Sequence, residues 1–380
     1  MTSQTIRPTG RVAVPDGAQA RNAWRMRELI YGQLRSRAIG AMAELGLADV
    51  LGHGARTADQ LASQVGADRA LLPRLLRALA SFEILHLEHR DGQQLFSLTP
   101  LGETLRSDGP GSALPTALLV ASTVAPAWER LTQVVRTGRP AFTEVFGQDF
   151  FSHLGDDTRL RGIFDRSQET GLALELEGLL GAVDFTGPLS VADIGGGDAA
   201  LLTGLLADRP ELRGTLVDLA AALPPAALRL AGARLTERCE LREGNFFEAL
   251  PAGADRYVLR HILHDWDDES CVAILRNCRA AMSPDARLVL IDHLAAADPG
   301  AAAGEGSTGQ WGGLMDLYMM SLFDGGRERT EEETRALLGE AGLTALRVTR
   351  LPGGTGVIEA RGALGEPRPS GEEGGPHGAS

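Results

Sequence analysis

The sequence predicts an α/β fold with a parallel-rich sheet, preceded by a smaller helical module that closes in a β-hairpin. Three observations predict it. A strand-like run from Leu189 to Ile194 meets Gly195, Gly196 and Gly197 and passes into a helical pattern carrying Ala199, Leu201, Leu202 and Leu205. Strand-like and helical stretches then alternate to about His293, the pattern of a parallel sheet covered by helices. Ahead of them, two helical patterns lead into two strand-like runs joined by Asp91-Gly92, a hairpin-turn signal.

Taken in order, residues 1–20 are polar with scattered Gly and Pro and read as a mobile arm. From Ala23 the pattern is helical. Trp24, Met26, Leu29, Ile30, Leu34, Ile39, Met42 and Leu45 give more than one apolar face, which suits packing against a second subunit. Thr57 and Gln60 form a capping box before a helix holding Leu61 and Val65. A second helix is expected over 70–82, then strands over 84–89 and 93–98. Helix, helix, hairpin is a winged-helix layout. Asp59, Asp68, Glu83, Glu88 and Asp91 surround Arg74 and Arg77, so no basic face forms, and 21–110 is read as a dimerisation module instead of a DNA reader.

Residues 111–181 read as a helical linker, interrupted at Pro140-Ala141-Phe142, Gly147 and Phe150-Phe151, that roofs a pocket. The α/β domain covers 182–361. Its second strand, 214–218, ends in Asp218. The third, 239–242, precedes Gly244-Asn245-Phe246-Phe247. The fourth, 256–263, precedes His264-Asp265-Trp266, a helix follows over 267–282, and the fifth strand is 287–293. Residues 362–380 are Gly, Pro, Glu and Ser and are expected to be disordered.

Composition narrows the chemistry. The 380 residues suffice for two domains, and a net charge of −13 argues against nucleic acid or an anionic membrane as partner. All 37 strong bases are arginine, which removes lysine Schiff bases and the P-loop lysine. Cys239, Cys271 and Cys278 show no metal-ligand pairing and no disulfide framework, which points to a reducing cytoplasm. No signal peptide or membrane-length apolar run is expected.

The glycine turn reads as a nucleotide or nucleoside site, with free helix N–H groups facing the ligand. Gly195, Gly197 and Ala200 also satisfy the Rossmann G-x-G-x-x-[G/A] pattern, so spacing alone leaves the ligand open. Asp218 stands about twenty residues on, where such folds place a ribose-binding carboxylate. His264 directly follows the fourth strand at the ligand edge of the sheet, where an imidazole can take a proton from a phenol. Asp292 ends the fifth strand, and Glu328 lies in Gly325-Gly-Arg-Glu-Arg-Thr330; either carboxylate could orient the imidazole.

Together, Asp193-Ile-Gly-Gly-Gly197, Val217-Asp-Leu219, Gly244-Asn-Phe-Phe247, His264-Asp-Trp-Asp-Asp-Glu269 and Gly325-Gly-Arg-Glu-Arg-Thr330 resemble the S-adenosylmethionine-dependent O-methyltransferases of the caffeate/hydroxyindole type, in their bacterial natural-product branch. The resemblance runs from about Ala23 to Arg361. It implies a Rossmann-like methyltransferase domain, a homodimer built by the N-terminal module, S-adenosyl-L-methionine as cofactor, and methyl transfer to a hydroxyl of an aromatic metabolite without a metal. It implies cofactor contacts by Gly195, Gly197, Asp218, Asn245, Phe246 and Arg260, the last often through its main chain. It makes His264 the general base with Asp292 and Glu328 beside it, and Gln168, Met315, Asp316, Met319 and Met320 the acceptor pocket. Two positions depart from the family: Asn245 replaces its usual Asp, and Gln168 replaces a common methionine. The rival readings are a non-methylating relative that keeps the cofactor, a nicotinamide-dependent oxidoreductase, and a winged-helix regulator.

Overall fold

The computed structural model describes residues 14–298 and 308–363. The chain forms two compact units, divided between Ala121 and Ser122. The boundary falls inside the predicted linker, so its first residues join the N-terminal unit and the remainder joins the α/β unit.

The N-terminal unit opens with one helix, Gly17–Glu44. The Asp16 carboxylate accepts from the Ala18 and Gln19 N–H groups and the Gln19 side chain answers, a capping box. The helix thus starts inside the stretch read as a mobile arm. Trp24, Met26, Leu29, Ile30 and Leu34 are all more than half exposed, while Gly40, Met42 and Ala43 at its far end are buried. Thr57 and Gln60 cap the helix Ala58–Val65, as their spacing predicts. The next helix, Leu72–Ser81, starts two residues later than expected, because the Asp68 carboxylate takes the N–H groups of Ala70 and Leu71 into a turn. The strands are β1 (Arg56–Thr57), β2 (Leu85–Arg90) and β3 (Gln93–Leu98), all antiparallel in the order β1-β3-β2. Two residues carry no periodicity, which is why β1 escaped the sequence reading. Met42, Leu47, Leu61, Leu76, Leu79 and Phe96 fill the core.

The second unit is built on strands β4 (Ser190–Ile194), β5 (Arg213–Asp218), β6 (Cys239–Glu243), β7 (Arg256–Arg260), β8 (Arg287–Ala295), β9 (Arg329–Thr330), β10 (Leu343–Arg350) and β11 (Thr355–Gly362). The sheet order is β10-β11-β8-β7-β4-β5-β6, with β9 paired to β8. The five strands from β4 to β8 are mutually parallel, and β11 and β10 add an antiparallel edge. The chain winds outward from β4 through β5 to β6, then returns to β7 on the other side of β4. That reversal is the switch point where open α/β sheets hold ligands. Side-chain alternation sends Tyr257, Leu259, Leu288 and Leu290 to one face, and Val258, Val289 and Ile291 to the other, so two apolar cores cover the sheet. Cys239, Cys271 and Cys278 are free and buried in these cores.

The fourth predicted strand ends at Arg260, three residues early. His261 has φ +53°, which turns the chain out of the strand, and a short 3-10 turn, Leu263–Asp265, follows. The β10/β11 pair lay outside the predicted alternation. The predicted tail falls beyond the described residues from position 364 on.

Candidate functional site

A cavity of about 630 Å³ opens at the carboxyl ends of β4, β5 and β7, within the range of small-molecule sites. The helix Thr158–Ala182 supplies Arg161, Phe164, Asp165, Gln168 and Leu172 to its lining, as the expectation of a roof requires.

One half of the cavity is backbone. Gly195 adopts φ +72° and Gly197 φ +60°. A Cβ on Gly196 would sit 2.2 Å from Asp193 Oδ2 and 2.6 Å from Leu216 Cδ1, so the turn closes only with glycine there. The helix after the turn is Ala200–Asp208, and Ala199, counted in the helical pattern, instead takes a left-handed conformation at its cap. Asp218 Oδ2 accepts from the Gly197 N–H at 2.8 Å and Oδ1 from the Leu219 N–H at 2.7 Å, which ties the end of β5 to the turn. Burial nevertheless raises the Asp218 pKa. Asn245 Oδ1 accepts from the Phe247 N–H at 3.0 Å, so the amide fixes its own loop. The Phe246 ring stands 5.8 Å from Trp266, edge to face, and lines the cavity beside Gly195. The Arg260 guanidinium turns to Glu175 of the roof helix at 3.0 Å, leaving its main chain as the part at the strand end.

Two charged features here were not singled out in the sequence. Asp193 lines the cavity with both carboxylate oxygens buried and without a hydrogen-bond partner; burial and the nearby Asp218 push it up to about 7. Arg229 binds Asp198 beside the glycine turn and Glu169 on the roof helix, at 2.9 Å to the latter, clamping the roof to the turn.

The other half is side chain. His264 is buried, and its Nδ1 lies 3.0 Å from Glu328 Oε1. Asp265 Oδ1 is 3.6 Å from Nε2, and Asp292 Oδ1 is 3.9 Å from Nδ1. Burial opposes charge on this imidazole, yet Asp265, Glu328 and Asp292 outweigh it and push His264 up to about 10. Burial holds Asp265 and Asp292 up at about 7 despite the facing imidazole. The assembly has identifiable causes. Parallel register sets Arg260 opposite Ile291, and the His261 N–H donates to the Ile291 carbonyl at 2.8 Å, which brings the residues after both strands together. The Arg327 N–H donates to the His264 carbonyl at 2.9 Å. Buried Arg329 donates to the carbonyls of Leu263 and Trp266 and to Asp268, holding the 263–268 turn in place. His261 stacks on His264 with centroids 5.3 Å apart at 19°, and His293 lies 5.0 Å from His261.

Of the residues assigned to the acceptor pocket, Gln168 and Met319 line the cavity. Met315, Asp316 and Met320 are not among its lining residues. Asp316 Oδ1 instead accepts from the Glu328 N–H at 3.0 Å, a contact that steadies the partner of His264. Phe150, Phe151, Phe164 and Phe323, packed edge to face and tilted at 5.3–5.6 Å, form an aromatic wall.

Comparison with known proteins agrees with this geometry. Residues 128–344 match the model of the O-methyltransferase domain, and residues 27–108 match the O-methyltransferase dimerisation domain. The chain is 44% identical to the O-methyltransferase SfmM3 of Streptomyces lavendulae over 88% of this chain and 99% of that one. The solved mitomycin 7-O-methyltransferase MmcR superposes with a TM-score of 0.82 at 36% identity, covering 92% of this chain and 100% of MmcR. NcsB1, an O-methyltransferase from neocarzinostatin biosynthesis, was solved with S-adenosylmethionine and 2-hydroxy-5-methyl naphthoic acid. It superposes with a TM-score of 0.72 at 34% identity, covering 86% and 96% of the two chains.

Proposed function

This chain belongs to the S-adenosylmethionine-dependent O-methyltransferases, and from that premise we propose that it methylates a hydroxyl of a small aromatic secondary metabolite, with His264 as general base. The observation that carries the base is the buried His264–Glu328 pair at 3.0 Å on the cavity wall. Glu328 holds Nδ1, which leaves Nε2 to receive the acceptor's proton.

The cofactor supplies a methyl group already activated on its sulfonium. The chain contributes placement and proton removal. The glycine turn, Asp218 and the Phe246 ring hold the nucleoside half, and the buried Asp193 carboxylate faces the same space. The phenylalanine wall aligns a flat acceptor against His264 and excludes water. A cationic cofactor bound beside His264 would favour loss of the resting proton of the imidazole, because like charge opposes the pull of its three carboxylates. Asp292 and Glu328 then stabilise the imidazolium that forms.

The same reading makes the N-terminal unit, with its exposed Trp24, Leu29, Ile30 and Leu34, the homodimer interface. It places the enzyme in the cytoplasm with neither nucleic acid nor membrane as partner. The acidic net charge weighs against nucleic acid or an anionic membrane as partner.

Incubation with methyl-labelled S-adenosylmethionine and a panel of phenolic acceptors tests the reading. The expected result is one label per product, on oxygen. Label found only on nitrogen, or an acceptor converted without label, contradicts it.

A further inference from the structure

We propose that His261, His264 and Asp292 form a binding site for a divalent transition-metal ion of the zinc class. Given the base assigned above, an ion held there shuts the enzyme off. His261 Nδ1 and Asp292 Oδ1 lie 3.8 Å apart, His264 Nδ1 lies 3.9 Å from the same oxygen, and one donor atom from each of the three residues falls within 4.8 Å of the others. Zinc bonds of about 2.0–2.2 Å set tetrahedral ligands roughly 3.3–3.6 Å apart, so closure asks only small side-chain rotations.

Three features point to a ligand here. His261 Nδ1, Asp292 Oδ1 and Glu328 Oε2 are buried polar atoms with no hydrogen-bond partner, and Glu328 is only 3% exposed. Such orphaned groups destabilise the fold unless something fills them. His261 is held at φ +53°, a backbone conformation uncommon outside glycine, and this turn stacks its ring on His264. The donor set is two imidazoles and a carboxylate, with Glu328 in reach as a fourth ligand, which suits zinc, cobalt or nickel better than magnesium or calcium. The ion would engage His264 at Nδ1. That leaves Nε2 carrying the hydrogen, a donor with no lone pair for the acceptor's proton.

The test uses the full chain, stripped with chelator and titrated with Co²⁺, whose visible absorption reports coordination. One equivalent should develop the bands, and Zn²⁺ should remove them. His261→Phe keeps an aromatic ring on His264 but deletes one ligand; Asp292→Asn weakens another. Each variant is compared at a melting temperature close to the parent's, and each should bind Co²⁺ at least tenfold more weakly. Absence of bands at one equivalent overturns the site. So do bands that persist unchanged in both variants, which would place the ion at other histidines. Zn²⁺ should also suppress methyl transfer, with recovery on adding chelator. Coordination without inhibition keeps the site and overturns the claim that the ion blocks His264, whereas an enzyme that transfers no methyl to any phenol fails the proposed function and leaves the site standing, so the two readings fail separately.

Discussion

The two halves of the cavity are made of different material. The half proposed to hold the cofactor is a backbone turn: three consecutive glycines, with the Asp218 carboxylate fastened to the Gly197 N–H. The half proposed to carry the reaction is made of titratable side chains from three separated segments, His261 to Asp265, Asp292 and Glu328, held by buried charge and by Arg329. The first half fails by steric exclusion. The second fails by loss of one charge from a buried cluster. Variants on each side should therefore differ in kind as well as size.

Short of removing His264 itself, the largest effect is expected at Gly196. Gly196→Ala drives a Cβ into Asp193 and Leu216, and calorimetry should show S-adenosylhomocysteine affinity falling by about a hundredfold, the upper end of the about 1–3 kcal/mol that overpacking typically costs. Affinity within threefold of the parent would show that the turn is not tightly closed. Glu328→Gln acts on the other half. It frees His264 to rotate and removes one of the carboxylates that stabilise the imidazolium, so kcat should fall roughly ten- to a hundredfold, the range seen when an orienting partner is lost, with cofactor affinity nearly unchanged. An equal loss in both quantities would join the halves that the structure separates.

Asp193 tests the border between them through pH. Its folded pKa of about 7 lies above the ordinary aspartate value. The protonated carboxyl therefore suits the apo fold, and stability declines as pH rises from about 4 through about 7. Asp198 and Asp218 add to the rise and Arg260 opposes it. Asp193→Asn removes the titration. Its apo melting temperature should exceed the parent's by several degrees at pH 8, and the gap should close near pH 4.5. A gap independent of pH would mean that Asp193 stays neutral for another reason. The smallest effect is expected at Asn245. Asn245→Asp keeps the acceptor for the Phe247 N–H and adds a charged oxygen, so S-adenosylmethionine should bind about two- to tenfold more tightly. Weaker binding would mean that the amide N–H₂ is what the ligand uses.

The backbone half was almost fully legible from the chain, because a strand, three glycines, a helix and a later acid are contiguous signals of the kind periodicity exposes. The capping box at Thr57 and the hairpin at Asp91-Gly92 were legible for the same reason. His264 and its two carboxylates were proposed, but the reason they meet is the register of β7 on β8 and the Arg329 anchor, which no local pattern carries. His261 stayed hidden. Its left-handed backbone has no sequence signal in a histidine, though its place three residues before His264 was a cue. Asp265 stood in the quoted motif and was read past. The resemblance implies Asp316 for the acceptor pocket; that its carboxylate also accepts from the Glu328 N–H is a contact only the fold shows, because the two residues lie on separate elements. The antiparallel edge of β10 and β11 broke the alternation on which the strand reading relied.

The division of labour between the halves is tested most directly by His264→Ala, measured twice on one preparation. Single-turnover methyl transfer to a verified phenolic acceptor reports the reacting half, and calorimetry with S-adenosylhomocysteine reports the cofactor half. The account predicts a rate lower by about two to four orders of magnitude near neutral pH, with affinity within about threefold of the parent. It also predicts partial recovery of the rate toward pH 10, where a phenol of pKa near ~10 ionises unaided. A near-normal single-turnover rate at neutral pH would contradict it, leaving His264 as packing and methyl transfer as a matter of proximity alone.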